Sequence, residues 1–179
     1  MKKTLLTGIA LFTLLSVSAQ KEPVDYVNPF IGTTNYGTTN PGALCPQGMM
    51  SVTPFNVMGD APENKINKDK TWWSTPYEFN NKYLTGFAHV NLSGVGCPEL
   101  GSLLLMPTTG ELNVDYQNYG SVYSQEAATP GYYTNKLDKY GIKCELTATP
   151  RTSRARFTFP AGQGNILMNL GEGLTNETG

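Results

Sequence analysis

Between residues 142 and 170 the chain alternates apolar and other side chains three times in succession. Ile142, Cys144, Leu146 and Ala148 fall on one side of the first run. Ala155, Phe157 and Phe159 do so in the second, with Arg154 and Arg156 on the other side. Ile166, Met168 and Leu170 do so in the third. A period of two places successive side chains on opposite faces of an extended strand and spoils the apolar stripe of a helix. Pro150 and the Pro160-Ala161-Gly162 break separate the runs. Short alternating strands joined by turn signals predict an antiparallel sheet with one buried face. On that reading Ile166, Met168 and Leu170 face the core, as do the apolar residues of the other two runs.

Weaker extended patterns fit 49–53, 84–91, 102–106, 111–116 and 131–138. No long segment has helical periodicity. The predicted fold class is therefore all-β, an antiparallel β-sandwich of roughly eight short strands. Two stretches stand apart. Residues 28–48, NPFIGTTNYGTTNPGALCPQG, have no period but carry the apolar anchors Phe30, Ile31 and Leu44, which predicts an ordered loop. Residues 58–71, MGDAPENKINKDKT, are polar throughout and read as a mobile surface loop. Three cysteines allow one disulfide and a free thiol, or three free thiols; since a domain of this length can rest on its core, free thiols are the expectation. Cys144, in its alternating run, is expected to be buried.

The amino terminus reads as an export signal spanning 1–19. Lys2 and Lys3 precede an apolar core from Leu5 to Val17, and Val17-Ser18-Ala19 is a small-residue cleavage site. The core is short for a membrane span. The mature chain is expected to begin at Gln20 and to lie in a periplasm or outside the cell, with no membrane attachment after cleavage. Without the two signal lysines, 11 of the 13 basic residues remain against 14 acidic ones, a net charge of −3. Three clustered arginines, Arg151, Arg154 and Arg156, are no nucleic-acid footprint on an acidic chain. Anionic membranes are equally unsupported. The final stretch, NILMNLGEGLTNETG, stops in a turn-like sequence, so 20–179 is expected to be one sandwich domain, incomplete at its carboxyl end.

Residues 86–110, GFAHVNLSGVGCPELGSLLLMPTTG, gather the single histidine, His89, with Cys97 and Glu99. Zinc needs several convergent His or Cys ligands, and calcium needs a cluster of acids. Neither pattern is present. A nucleophile elbow and a phosphate-binding glycine loop are also missing. An extended strand would put Phe87, His89 and Asn91 on one face. The plain alternative for His89 is a hydrogen-bonded histidine near a sheet edge, and for Glu99 a solvated or capping carboxylate. Trp72-Trp73, followed by Tyr77, Phe79 and Tyr83, could stack on the C–H faces of sugars. The alternative is that these rings are core. Tandem residues on a strand point to opposite faces, so one tryptophan is expected to leave the core.

Six blocks then line up in order: YVNPFIGT at 26–33, NPGALCPQGMMSVTP at 40–54, WWSTPY at 72–77, the 86–110 block, ATPGYYTNKL at 128–137 and GIKCELTATPRTSRARFTFP at 141–160. Together they resemble the N-terminal domain of glycoside hydrolase family 92, the calcium-dependent exo-α-mannosidases. The resemblance implies a β-sandwich packed on a larger C-terminal α/α barrel. It implies inverting hydrolysis of terminal α-mannosides, such as those of N-glycans, with carboxyls set apart to admit water. In the family the acid, the base and the calcium ligands come from the barrel, so the resemblance implies no catalytic or metal residue here and an inactive fragment. It implies a tryptophan on the leaving-group side of the sugar, which matches Trp73 or Trp72, with Trp73 preferred. His89 matches the first histidine of a commoner form close to G-F-S-H-T-H-L-S-G-T-G. Ala88, Val90 and Asn91 depart from it, and Pro98-Glu99-Leu100-Gly101-Ser102 stands where that form has an acid beside the second glycine pair. If this loop lines the pocket, His89, Asn91 and Glu99 bear on linkage specificity. Two other functions compete: a free-standing carbohydrate-binding module that uses the tryptophans and tyrosines as a platform, and a structural or adhesive sandwich without a sugar site.

Overall fold

A computed structural model describes residues 21–34, 37–57, 59–60, 65–66, 75–91, 100–115 and 117–170. After a short 3-10 turn at Pro23–Tyr26 come β1 (Ala43–Leu44), β2 (Ser51–Phe55), β3 (Gly59–Asp60), β4 (Lys65–Ile66), β5 (Tyr83–Leu84) and β6 (Gly86–Asn91). They are followed by β7 (Leu100–Thr109), β8 (Ser121–Thr129), β9 (Tyr132–Leu137), β10 (Ile142–Ala148), β11 (Ser153–Thr158) and β12 (Gly164–Asn169). One sheet has the order β1-β2-β6-β7-β12 and the other β11-β10-β9-β8-β5, with β3 and β4 paired apart. Every pairing is antiparallel. The expected all-β sandwich is the fold.

The second sheet is a meander from β8 to β11. Gly131 (φ 76°) and Gly141 (φ 65°) supply the left-handed backbone its tight turns need. The register sets Leu146 opposite both Tyr133 and Ala155, and Ile142 opposite Leu137. Leu137, Ile142, Cys144 and Leu146 are fully buried, as their alternation predicts. Each such aliphatic side chain contributes about 1.5–3 kcal/mol by leaving water. Arg154 and Arg156 point outward, also as expected. The main cluster joins these residues to Val52, Leu84, Phe87 and Met106 from other strands, and Phe87 stacks on Phe157 of β11 with centroids 5.8 Å apart. A smaller cluster is formed by Phe55, Val57, Ala88 and Leu104.

Several local expectations are corrected. The third alternating run is a strand, but Ile166, Met168 and Leu170 are exposed and its other face is the sheltered one. Leu167 lies opposite Met106 and packs on the core. Alternation shows that a strand has two faces, and only its neighbour decides which is covered. Residues 111–115 are not a strand. β8 was not foreseen because a bulge between Ser124 and Ala127, with Gln125 at φ 51°, breaks its period. Within 58–71, two residue pairs form the β3–β4 ladder rather than plain loop. In the described part of the stretch from 28, Phe30 packs edge-on against Phe79 at 5.6 Å and the Phe79 amide donates to the Thr33 carbonyl at 2.9 Å, but the other two expected anchors, Ile31 and Leu44, are exposed.

Candidate functional site

The described loops converge on β2. The Asn40 side-chain oxygen accepts from the Thr53 hydroxyl at 3.2 Å and from the Gly42 amide at 3.1 Å. Gly42 admits no side chain, because a Cβ there would lie 2.2 Å from Thr53 Oγ1. The Thr75 hydroxyl donates to the Thr39 carbonyl at 3.4 Å, which ties the WWSTPY block to the same loop. Beyond β2, Asn56 clasps the turn at 76–81. Its Nδ2 donates to the carbonyls of Glu78 (2.9 Å) and Asn81 (2.6 Å), and its Oδ1 accepts from the Glu78 amide at 2.8 Å.

That turn is held from the second sheet by Glu126. Its carboxylate accepts from the hydroxyls of Tyr77 (2.9 Å) and Tyr133 (2.8 Å) and pairs with Lys82 at 2.7 Å. Burial and the nearby carboxylate push both hydroxyls well above the ordinary tyrosine range. They are donors that stay protonated. Tyr77 and Tyr83 are therefore core residues, at 1% and 2% exposure, and not part of a sugar platform. Phe79 is exposed, and Lys82 lies 4.2 Å over its ring centroid. The Glu126 network was not read from the sequence. Its one signal is an acid beside small residues in Ser124-Gln125-Glu126-Ala127-Ala128.

Of the expected binding residues, His89 and Asn91 fall within the described chain, and Trp72, Trp73 and Glu99 lie outside it. His89 is half-buried, opposite Val52 and Leu103, with Nδ1 3.3 Å from the Leu103 carbonyl oxygen. Thr53 pairs with Ala88, one residue away, so its loop-binding side chain and His89 are on opposite faces of the sheet. A bulge follows His89. Val90 takes φ 60°, uncommon for a β-branched residue, and the β6–β7 register shifts there. The shared face expected for Phe87, His89 and Asn91 thus holds by register for Phe87 and His89 and is interrupted before Asn91. The Asn91 amide donates to Ser51 Oγ at 3.0 Å, and its Oδ1 is buried without a partner among the described residues. Bulges and strained residues of this kind concentrate at functional sites.

Cys45 and Cys144 are free, and burial pushes the Cys144 thiol upward; Cys97 lies outside the described residues. Among the described residues no three His, Cys, Asp or Glu side chains converge to hold a metal, so these residues do not fit a calcium site. No helix among them is long and apolar enough to cross a membrane.

The fold and this arrangement define a β-sandwich that holds polar loops against β2. The profile of the Glycosyl hydrolase family 92 N-terminal domain matches residues 26–179, and the chain belongs to that family. It is 35% identical to the family GH92 α-mannosidase BT3965 from Bacteroides thetaiotaomicron, whose structure it matches with a TM-score of 0.74 over 84% of this chain and 20% of that one. BT3965 has also been solved in complex with mannoimidazole. The inverting mannosidase BT2199 of the same organism is 25% identical, with a TM-score of 0.59 over 79% of this chain and 19% of that one. An uncharacterized secreted glycosidase of Arthroderma benhamiae is 26% identical over 88% of this chain and 20% of its own length. The chain thus spans about one fifth of these relatives.

Proposed function

We propose that this chain is the N-terminal domain of an exported exo-α-mannosidase that hydrolyses terminal α-mannosides with inversion, N-glycans among them. The observation that carries this is the 35% identity and common fold with a family α-mannosidase across most of the chain. In this reading 1–19 is the export signal and 20–179 the sandwich domain. The name of the secreted relative supports export to a periplasm or the cell exterior. The acid, the base and the calcium ligands belong to a C-terminal α/α barrel, and the fragment by itself is inactive. Calcium in the whole enzyme would orient sugar hydroxyls.

The domain's part is to shape the substrate pocket. Trp73 or Trp72 stacks on the sugar, while His89, Asn91 and Glu99 line the loop that sets linkage preference. The Asn40–Thr53 and Asn56–Glu126 clasps hold the flanking loops in place, so this role can be rigid rather than induced. Ile166, Met168 and Leu170 leave an apolar strip along the edge strand β12, which the barrel would cover.

The test is mannose release from α-mannosides by the whole gene product and by residues 20–179 alone, each with and without a calcium chelator. Hydrolysis by the whole protein only, abolished by the chelator, is expected. Activity in the fragment, or none in the whole protein, would overturn the reading. In the whole enzyme Trp73→Ala should raise KM for α-mannosides more than Trp72→Ala.

A further inference from the structure

The outer face of β9, β10 and β11 concentrates positive charge. Register places Lys136 opposite Lys143, Glu145 opposite Arg156 and Thr147 opposite Arg154, all on one side of the sheet. Four cations there face one acid, on a chain whose net charge is −1. Between them lies an open cavity of about 240 Å³ lined by Tyr132, Glu145, Leu146, Thr147, Arg154 and Arg156.

Glu145 and the side chains bonded to it are in place before any ligand arrives. Arg156 donates to both oxygens of Glu145, from Nε at 2.9 Å and Nη2 at 3.0 Å. The Tyr132 hydroxyl donates to the same carboxylate at 2.8 Å, and Lys143 adds a contact at 3.2 Å. Glu145 is thereby saturated, and Arg156 and Lys143 share its single negative charge. Arg154 has no ion-pair partner among the described residues. The cavity therefore holds one uncompensated guanidinium beside a tyrosine whose ring is tethered by its own hydroxyl. A guanidinium fork matches a carboxylate in two parallel hydrogen bonds. The volume lies below that of sites for drug-sized ligands, which suits one sugar ring.

We propose that this cavity is a second saccharide site, separate from the β2 loops, which takes a sugar acid: a uronate with its carboxylate on Arg154 and its ring against Tyr132. That the anion is carried by a sugar rests on the glycosidase reading; that the cavity takes an anion does not.

The probe is glucuronate, titrated into the full chain at low ionic strength and followed by calorimetry, with glucose and acetate as controls. Arg154→Ala should weaken glucuronate binding roughly tenfold or more. Glu145→Gln should tighten it several-fold, because it removes the competing anion and frees Arg156. Both positions are on the outer face, and circular dichroism verifies that each variant is folded. Added salt should weaken binding, and glucose should not compete. Acetate should bind roughly tenfold less tightly than glucuronate. Unchanged affinity in Arg154→Ala, or weaker binding in Glu145→Gln, overturns the site. Equal binding of acetate and glucuronate overturns the sugar assignment and leaves a bare anion patch. Hydrolysis of neutral mannosides by the whole enzyme is read separately and should be unchanged in Arg154→Ala, so failure here is distinct from failure of the mannosidase reading.

Discussion

Loss of the Glu126 carboxylate is the perturbation whose cost the structure defines best. The carboxylate is 9% exposed and has three partners, Tyr77, Tyr133 and Lys82. Lys82 is 37% exposed and can return to water, so its share is at most about 1 kcal/mol. The tyrosine hydroxyls cannot, since Tyr77 is 1% exposed and Tyr133 fully buried. Each hydroxyl left without an acceptor costs about 1–3 kcal/mol. Glu126→Ala should therefore destabilise the full chain by about 3–5 kcal/mol, most of it from the two stranded hydroxyls. Glu126→Gln keeps one acceptor oxygen for the tyrosines and should cost about 1–2 kcal/mol. Tyr133→Phe combined with Glu126→Gln should be non-additive by about 1 kcal/mol, because the two share one hydrogen bond. Urea unfolding measures all of these, with the slope of free energy against urea verifying that the unfolded state is unchanged. A loss below about 1 kcal/mol in Glu126→Ala would refute the reasoning. So would an equal loss in Lys82→Met, since that would make the exposed ion pair, not the buried hydroxyls, the source of stability.

Three further outcomes follow from local chemistry. Arg156, Tyr132 and Lys143 hold Glu145 down to about 2 from the ordinary 4.5, so its contribution is present above pH 4.5 and is lost as pH falls toward 2; Glu145→Gln should flatten that acid limb in pH-dependent unfolding. Burial raises Tyr77, Tyr123 and Tyr133, and lifts Tyr140 to about 12, so the stability these groups contribute is complete below pH 10 and is lost as pH rises beyond it. Tyrosinate absorbance should accordingly develop together with unfolding, and free titration of every tyrosine near pH 10 in the folded chain would contradict this. Val90→Gly should raise stability by up to about 1 kcal/mol, because relief of left-handed strain exceeds the entropy cost of glycine, and a loss measured by urea unfolding would show that Val90 is not strained.

Much of the architecture was legible in the chain because strand formation leaves a local mark. The runs at 142–148 and 155–159 state both the strand and its inner face, since their apolar side chains have one place to go. Phe30 marked part of the first loop for the same reason, since an apolar ring in a polar stretch finds cover against Tyr77 and Phe79, whereas Ile31 stays exposed. The candidate site was less legible. His89 and Asn91 stand out by residue type, but the bulge at Val90 that interrupts their shared face has no residue signature in a Val-Asn pair. Glu126, which organises the turn after the WWSTPY block, looks in sequence like any solvated strand acid.

Local periodicity by itself determined that the chain is an all-β sandwich and that Cys144 is inside. It also carried the family, because the ordered blocks are a property of the sequence. Only tertiary packing decided that β12 turns Leu167 inward and leaves Ile166, Met168 and Leu170 outside. Only packing turned Tyr77 and Tyr83 into core residues and set Arg154 beside a Glu145 already claimed by Arg156. The physical reason is the same in each case. Which face of a strand is covered, and which charge finds a partner, depends on residues from other strands that the register alone brings opposite.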